Sequence, residues 1–170
     1  MCRLSPLPSG LSGRSNRDRQ EIHEKEMNAS PHTVSYDSLT LDELYGILKA
    51  RSKVFLLEQG IVCQDMDDID KTAFHVFIED GGDILAYLRV FPMDGEVHIG
   101  RVLTAKEIRG KGLGRTVMEA GLQAAEKHFP GRPVKLHSQA QVVGFYEKMG
   151  FRVCSDMFLE EGVPHYEMEK

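Results

Sequence analysis

A glycine-rich segment at residues 109–115 reads Arg-Gly-Lys-Gly-Leu-Gly-Arg and limits the folds open to this chain. It lies between a strand-like run that ends at Thr104 and a helical pattern that starts near Gly112. Glycines allow a tight turn there and let backbone N–H groups come close to a ligand. Because the first N–H groups of a helix are unpaired and carry the positive end of its dipole, this segment predicts a phosphate or pyrophosphate site.

Two better-known phosphate loops do not fit this segment. The glycines at positions 110, 112 and 114 match neither the P-loop pattern GxxxxGK[ST] nor the dinucleotide-binding pattern GxGxxG. What remains is the pattern R-x-x-G-x-G, which runs from Arg109 to Gly114. Taken alone, the segment is interpreted equally well as an ordinary glycine-rich turn at the start of a helix.

Hydrophobic periodicity predicts the order helix, three strands, helix, strand, helix, two strands. Thr40 and Glu43 have the spacing of a capping box at the start of the first helix. Turn residues separate the three central strands, which indicates an antiparallel meander. The chain is therefore predicted to form one mixed layer fold of the α/β (α+β) class. The predicted helices cover residues 40–57, 112–128 and 142–149, and the predicted strands cover 74–79, 84–91, 97–104, 134–138, 151–159 and 165–169.

Composition sets the domain limits. Residues 1–31 are rich in Ser, Pro, Gly and charge, which predicts a disordered tail, and residues 32–170 are predicted to form a single domain. Met27 is a plausible alternative start. The tail has no apolar core of a secretory signal, and no run approaches the roughly 18 apolar residues of a spanning helix, so no membrane partner is expected. Three scattered cysteines are interpreted as free thiols of a cytoplasmic protein.

Charge and metal-binding patterns exclude other classes of function. The net charge of -5 argues against a nucleic-acid partner. The seven histidines form no HExxH or Cys/His pairing, so no metal is expected. An acidic segment also fails the EF-hand pattern. It is interpreted either as a solvent-facing loop or as a patch that attracts an ammonium group, and its residues are Asp65, Asp67, Asp68 and Asp70.

Two motifs together resemble the GNAT superfamily of N-acetyltransferases. Arg109, Gly112 and Gly114 match that family's pyrophosphate loop, [RQ]-x-x-G-x-[GA], and about thirty residues downstream an aromatic pair precedes a Gly-Phe turn at 145–151. The resemblance covers residues 34–170. The chain is more narrowly similar to the ElaA-like branch. The residues that carry this similarity are Arg51, Val54, Phe55, Glu58, Gln59, Gln64, Asp65, Asp67, Ile99, Gly100, Arg101, Val102, Glu161, Gly162, Pro164 and His165.

The resemblance implies a GNAT-like, mostly antiparallel central sheet flanked by helices, with acetyl-CoA as co-substrate. It implies that the end of one strand bonds the pantetheine arm, that the glycine-rich segment wraps the pyrophosphate, and that Gln139 lies near the cofactor arm. Tyr146 is the implied general acid. The implied cofactor-binding residues are Val102, Leu103, Thr104, Arg109, Gly110, Lys111, Gly112, Leu113, Gly114, Arg115 and Gln139.

The family chemistry implies direct acetyl transfer to a primary amine within a ternary complex. An ammonium must first lose its proton to a base. Glu58 is ranked first for that role, and His98 and His137 are alternatives. No covalent enzyme intermediate is required, so Cys63 and Cys154 are expected to be dispensable.

Other functions stay open at this point. A non-catalytic acyl-CoA sensor would use the glycine-rich segment but would need neither Tyr146 nor a base. The acceptor amine belongs either to a small molecule or to a peptide, as an N-terminus or a lysine. A homodimer is plausible for this superfamily.

Overall fold

The computed structural model of the chain describes residues 30–170. All but the last two positions of the predicted tail over 1–31 lie outside the described residues, as do Cys2 and Met27. No helix between residues 30 and 170 has the length and apolar character that a bilayer crossing requires.

Eight strands form one sheet in the described part of the chain: β1 His32–Ser35, β2 Phe74–Asp80, β3 Asp83–Met93, β4 Glu96–Thr104, β5 Val134–Gln139, β6 Arg152–Val153, β7 Phe158–Glu160 and β8 Val163–Glu169. Their order in the sheet is β1-β2-β3-β4-β5-β8-β6, with β7 pairing β8. Every pairing is antiparallel except that of β4 with β5. The fold class predicted from the sequence is therefore confirmed.

Helices cover both faces of the sheet. The first helix, α1 (Leu41–Arg51), starts at the predicted capping box: the backbone N–H of Glu43 donates to the Thr40 hydroxyl at 3.2 Å, and the Thr40 N–H donates to the Glu43 carboxylate at 2.8 Å. It continues as a π-helical segment, Ser52–Glu58. The long helix α2 (Leu113–His128) and the short helix α3 (Val143–Glu147) follow the glycine-rich segment and β5.

The core lies mainly between the sheet and α2. Alternate residues of the central strands, such as Val76, Leu88 and Val97, are fully buried against this helix. Gly121 lets α2 approach closely, because a Cβ there would lie 2.9 Å from the methyl carbons of Leu88. A second, smaller core beneath α1 contains Tyr87.

The sheet opens between β4 and β5. These parallel strands pair only from Val97–Val134 to Ile99–Leu136, although β4 continues to Thr104 and β5 to Gln139. Past Ile99, β4 contains a bulge: Arg89 pairs with Gly100 while Tyr87 pairs with Leu103, so β4 has one residue more than β3. Arg101 in the bulge has a left-handed φ of 55°. The two strands therefore diverge and leave a wedge-shaped opening.

Candidate active site

A cavity of about 1050 Å³ occupies the opening between β4 and β5. The glycine-rich segment, the π-helical segment, the acidic segment and α3 contribute its other walls. Most of the predicted site residues line it, and these are Val102, Leu103, Thr104, Arg109, Gly110, Gly112, Leu113, Gly114, Arg115, Gln139 and Tyr146. Lys111 and Glu58 are not part of its lining.

The glycine-rich segment presents free backbone donors to this cavity. Gly110 and Gly112 have left-handed φ values of 81° and 86°, which glycine adopts without steric penalty. Gly112 caps the N-terminus of α2, and among residues 30–170 the N–H groups of Gly112, Leu113 and Gly114 find no acceptor. A Cβ on Gly114 would lie 3.4 Å from the Thr104 methyl carbon, so glycine lets the helix start close to β4. Three free donors at a helix start fit a pyrophosphate.

The Arg109 side chain ties three cavity walls together instead of extending into the cavity. Its Nε and Nη2 donate to the Thr104 carbonyl oxygen at 3.2 and 3.1 Å, and its Nη1 donates to the Glu58 carboxylate. The hydrogen bond from Arg109 lowers the pKa of Glu58. Glu58 is thereby held ionised at the edge of the glycine-rich segment, and lowering its pKa makes it a weaker base.

Tyr146 joins a buried ring to a free hydroxyl. The residue is 6% exposed, and its ring packs edge-on against Phe145 and Phe151 with centroids 5.1 and 6.1 Å away. The hydroxyl makes no hydrogen bond within the described residues. It is nevertheless accessible, because in residues 30–170 only Nε of Arg89 is a buried side-chain polar atom without a hydrogen-bond partner. Burial raises the pKa of Tyr146, so the hydroxyl stays protonated. It is a proton donor open to the cavity.

Glutamines bridge the two sides of the cavity. The Gln139 side chain, at the end of β5, donates to Gln59 Oε1 at 3.1 Å and accepts from Gln141 at 2.7 Å. Gln59 follows the π-helical segment directly, so this bond connects the helical wall to the sheet.

The acidic segment is used in a way that sequence reasoning missed. Three of its four aspartates pair with arginines, and two of those arginines, Arg51 and Arg89, are buried. Both interpretations offered above, a solvent-facing loop and an ammonium-attracting patch, are therefore wrong for these three carboxylates. Only Asp68 points outward, where it pairs with Lys71 at 2.7 Å. We call the ion-paired set the arginine cluster; Arg51, Arg89 and Asp70 in it are buried and the other members are half-buried. It consists of Arg51, Arg89, Arg101, Asp65, Asp67 and Asp70.

Bidentate and shared contacts hold the arginine cluster together. Arg51, with no exposed surface, donates to Asp65 at 2.9 Å and to Asp70 at 2.8 Å. Arg89, which is 3% exposed, donates to the same Asp70 oxygen at 2.7 Å. Arg101, in the β4 bulge, donates to Asp65 at 2.7 Å. The cluster fixes the acidic segment against the sheet at one end of the cavity.

A second polar group on the cavity wall consists of His137, Glu160 and His165, which we call the Glu160 cluster. Nδ1 of His137 lies 3.3 Å from a Glu160 oxygen, and Nε2 of His165 lies 3.8 Å from the same oxygen. His165 is further fixed through Nδ1, which is 2.8 Å from the Val163 carbonyl oxygen. The hydrogen bond to Glu160 raises the pKa of His137.

Sequence reasoning had offered His137 as a possible base and had missed its carboxylate partner. The strand period places His137 on the same face as Gln139, which was a usable signal. Glu160 lies on the closing hairpin, and nothing local in the sequence couples it to β5. His98, the other alternative base, is buried and stacks on Phe91, and burial lowers the pKa of His98.

Within residues 30–170, no three His, Cys, Asp or Glu side chains are arranged to hold a metal ion.

Comparison with known proteins relates this geometry to a family. The family described as "Acetyltransferase (GNAT) domain" matches residues 50–170. Protein ElaA of Escherichia coli strain K12 is 31% identical over 142 residues, which cover 81% of this chain and 93% of ElaA. A UPF0039 protein of Schizosaccharomyces pombe is 35% identical over 136 residues, which cover 78% of this chain and 91% of that protein.

Solved structures agree with the sequence comparison. The crystal structure of an acyl-CoA N-acyltransferase from Pseudomonas aeruginosa aligns with a TM-score of 0.80 at 36% identity, over 84% of this chain and 99% of the other. The crystal structure of Escherichia coli ElaA aligns with a TM-score of 0.79 at 31% identity, with the same coverage of 84% and 99%. The resemblance predicted from the two sequence motifs is confirmed.

Proposed function

The chain belongs to the GNAT acetyltransferase family and has its acyltransferase fold, and on this premise we propose that it transfers the acetyl group of acetyl-CoA directly to a primary amine. The acceptor is a small molecule or a peptide, and transfer occurs within a ternary complex. The observation that carries the proposal is that three free N–H groups at a helix start and the free hydroxyl of Tyr146 lie around the same cavity.

We assign the cavity residues to successive parts of the cofactor, from the pyrophosphate to the pantetheine arm. The N–H groups of Gly112, Leu113 and Gly114 bind the pyrophosphate, with Gly110, Lys111 and Arg115 around it. Backbone groups of residues 102–104 bond the pantetheine arm, because β4 leaves β5 there; of the groups at this edge, the Thr104 carbonyl oxygen is already taken by Arg109. Gln139 lies on the opposite side of the arm. Acetyl-CoA supplies the thioester.

Two steps of the chemistry fall to groups of this chain. A backbone N–H near Leu103 stabilises the oxyanion that develops on the thioester carbonyl. The Tyr146 hydroxyl donates its proton to the departing thiolate, since its raised pKa keeps it protonated. Holding the thioester and the amine in line supplies the proximity that a bimolecular reaction in water lacks. Neither Cys63 nor Cys154 is needed, and both exposed free thiols are compatible with the proposed cytoplasmic location.

The first test is isothermal titration of acetyl-CoA into the purified chain. We expect micromolar binding in the wild type and loss of binding in Gly112→Trp, whose indole would cover the free N–H groups. Gly131→Trp is the matched control, because Gly131 also has a left-handed φ, of 71°, has open space around its Cβ position and lies outside the cavity. Equal binding by wild type and Gly112→Trp, or no binding by any of the three, would contradict the proposed cofactor site. Binding without acetyl transfer to any amine would instead support the acyl-CoA sensor.

Glu58 remains the base ranked first from the family resemblance, but its pairing with Arg109 favours a positioning role. We therefore expect Glu58→Gln to raise KM for acetyl-CoA about fivefold, which corresponds to the ~1 kcal/mol of an exposed ion pair. The pH dependence of kcat should not move. The measurement is thiol release from acetyl-CoA across a pH series. A loss of the acidic limb of the kcat profile in Glu58→Gln would return the base role to Glu58.

A further inference from the structure

The position of His137 at the opening of the sheet sets it apart from the other titratable groups of the cavity. Leu136 makes the last pair between β5 and β4, with Ile99, so His137 is the first residue of β5 beyond the point where the strands separate. On β4 the residue after Ile99 is Gly100, which has no side chain to fill the space. The His137 ring lines the cavity and its side chain is 40% exposed.

Glu160 determines which nitrogen of His137 is available. A carboxylate only accepts hydrogen bonds, so the 3.3 Å contact with Glu160 places the proton of a neutral ring on Nδ1. Nε2 then carries the lone pair, and it is the nitrogen that can take a proton from a bound amine. Nε2 of His165 lies 3.8 Å from the same Glu160 oxygen, and His165 is itself fixed by the Val163 carbonyl oxygen.

The same wall of the cavity carries negative charge toward an incoming amine. Glu161, at the turn between β7 and β8, lines the cavity. The aspartates at the other end are already paired with arginines. An alkyl amine is protonated at neutral pH, so it would be drawn to Glu161 and Glu160 and would need a base beside it.

We propose that His137, oriented by Glu160, is the general base that removes a proton from an alkylammonium acceptor at this wall of the cavity. The proton passes from the acceptor nitrogen to Nε2 of His137, and the nitrogen lone pair thus freed attacks the thioester carbonyl carbon. The imidazolium is stabilised by the Glu160 carboxylate. Glu160 and His165 are positioning residues. This inference rests on the proposed acetyl transfer.

Several charged groups face His137 and define its titration. Glu160 approaches from β7, Glu167 and His165 from β8, and His98 from β4. Glu160 has the largest effect and raises the pKa of His137, so the base is free of its proton only as the pH rises through that raised value. Removing the Glu160 charge should lower this pKa, which moves the acidic limb of the rate profile to lower pH. The plateau should fall at the same time, because the tautomer is no longer fixed.

The direct test is nitrogen-detected NMR of the histidine rings in the full chain, without any acceptor. We expect His137 to carry its neutral proton on Nδ1, and we expect Glu160→Gln to lower its pKa. Glu167→Gln is the matched control, since Glu167 pairs with His137 in the β5–β8 register and acts on it less strongly, so a smaller shift and the same tautomer are expected. An Nε2–H tautomer in the wild type, or an unchanged pKa in Glu160→Gln, would overturn the proposal.

A kinetic test separates the base from the rest of the site. His137→Asn keeps a donor near the position of Nδ1 and removes Nε2. With tyramine, spermidine and an Nα-blocked lysine amide as probes, we expect it to lower kcat/KM by about 100-fold or more. The acetyl-CoA Kd should stay within about twofold of wild type. Full activity of His137→Asn would contradict the assignment of His137 as the base. A wild-type chain that does not bind acetyl-CoA would instead contradict the proposed function itself.

Discussion

Replacing Asp70 with asparagine is expected to lower the free energy of unfolding by about 3–5 kcal/mol, the range found when one partner of a buried ion pair is removed. Asp70 is 7% exposed, and one of its oxygens accepts from Arg51 at 2.8 Å and from Arg89 at 2.7 Å. Both guanidinium groups are nearly or fully buried. Asparagine has almost the same volume, so the loss isolates the charge of Asp70 and leaves Arg51 and Arg89 with only Asp65 and Asp67 as ion-pair partners within residues 30–170.

The measurement is urea unfolding of wild type and Asp70→Asn, followed by circular dichroism. Asp68→Asn provides the control, because it is the same chemical change two positions earlier, on a side chain that is 91% exposed and pairs only with Lys71. That variant should unfold at nearly the wild-type urea concentration. If Asp70→Asn unfolds together with Asp68→Asn, the arginine cluster does not hold the acidic segment to the sheet.

This loss of stability should also affect the candidate active site. Arg89 and Arg101 come from the strands that form the floor of the cavity, while Asp65 and Asp67 belong to the segment that forms one of its walls. The left-handed conformation of Arg101 is an uncommon one for a side chain other than glycine. The hydrogen bonds from Arg101 to Asp65 hold the Arg101 backbone in this conformation. The β4 bulge, where β4 separates from β5, therefore depends on the arginine cluster.

Local sequence signals were sufficient for the central part of the fold. The capping box at Thr40, the turns between the meander strands and the glycine-rich start of α2 are each encoded within a few residues. The short strand β1 was missed, since its four residues are partly exposed and occupy a sheet edge, where no apolar alternation is required. The sequence predicts one helix over residues 40–57, whereas the structure changes from α- to π-helix after Arg51.

The parts of the site that sequence reasoning missed depend on contacts between distant residues. Asp65 and Arg101 are 36 positions apart, Glu58 and Arg109 are 51 apart, and His137 and Glu160 are 23 apart. No period or motif reports such pairs in a single sequence. The family resemblance indicated which residues would surround the cofactor. It could not indicate that Arg109 forms an ion pair with Glu58 or that Glu160, on the closing hairpin, contacts His137.

Tyr146→Phe is expected to lower kcat by roughly 100- to 1,000-fold, within the range of a lost general acid. The acetyl-CoA Kd and the thermal midpoint should stay close to wild type. The ring would keep its contacts with Phe145 and Phe151, and the hydroxyl it loses makes no bond among residues 30–170. Burial raises the pKa of Tyr146, so wild-type activity should show no alkaline decline at the ordinary pKa of tyrosine, near 10.

Thiol release from acetyl-CoA in the presence of the alkyl amine probes gives kcat, and isothermal titration gives Kd. Tyr45→Phe is the matched control, since Tyr45 is 72% exposed on α1 and outside the cavity, and it should retain wild-type turnover. The opposite result, weakened acetyl-CoA binding with unchanged turnover, would mean that Tyr146 only packs against the cofactor arm. The thiolate would then leave unprotonated, and the base at the acceptor side would provide the only proton transfer from this chain.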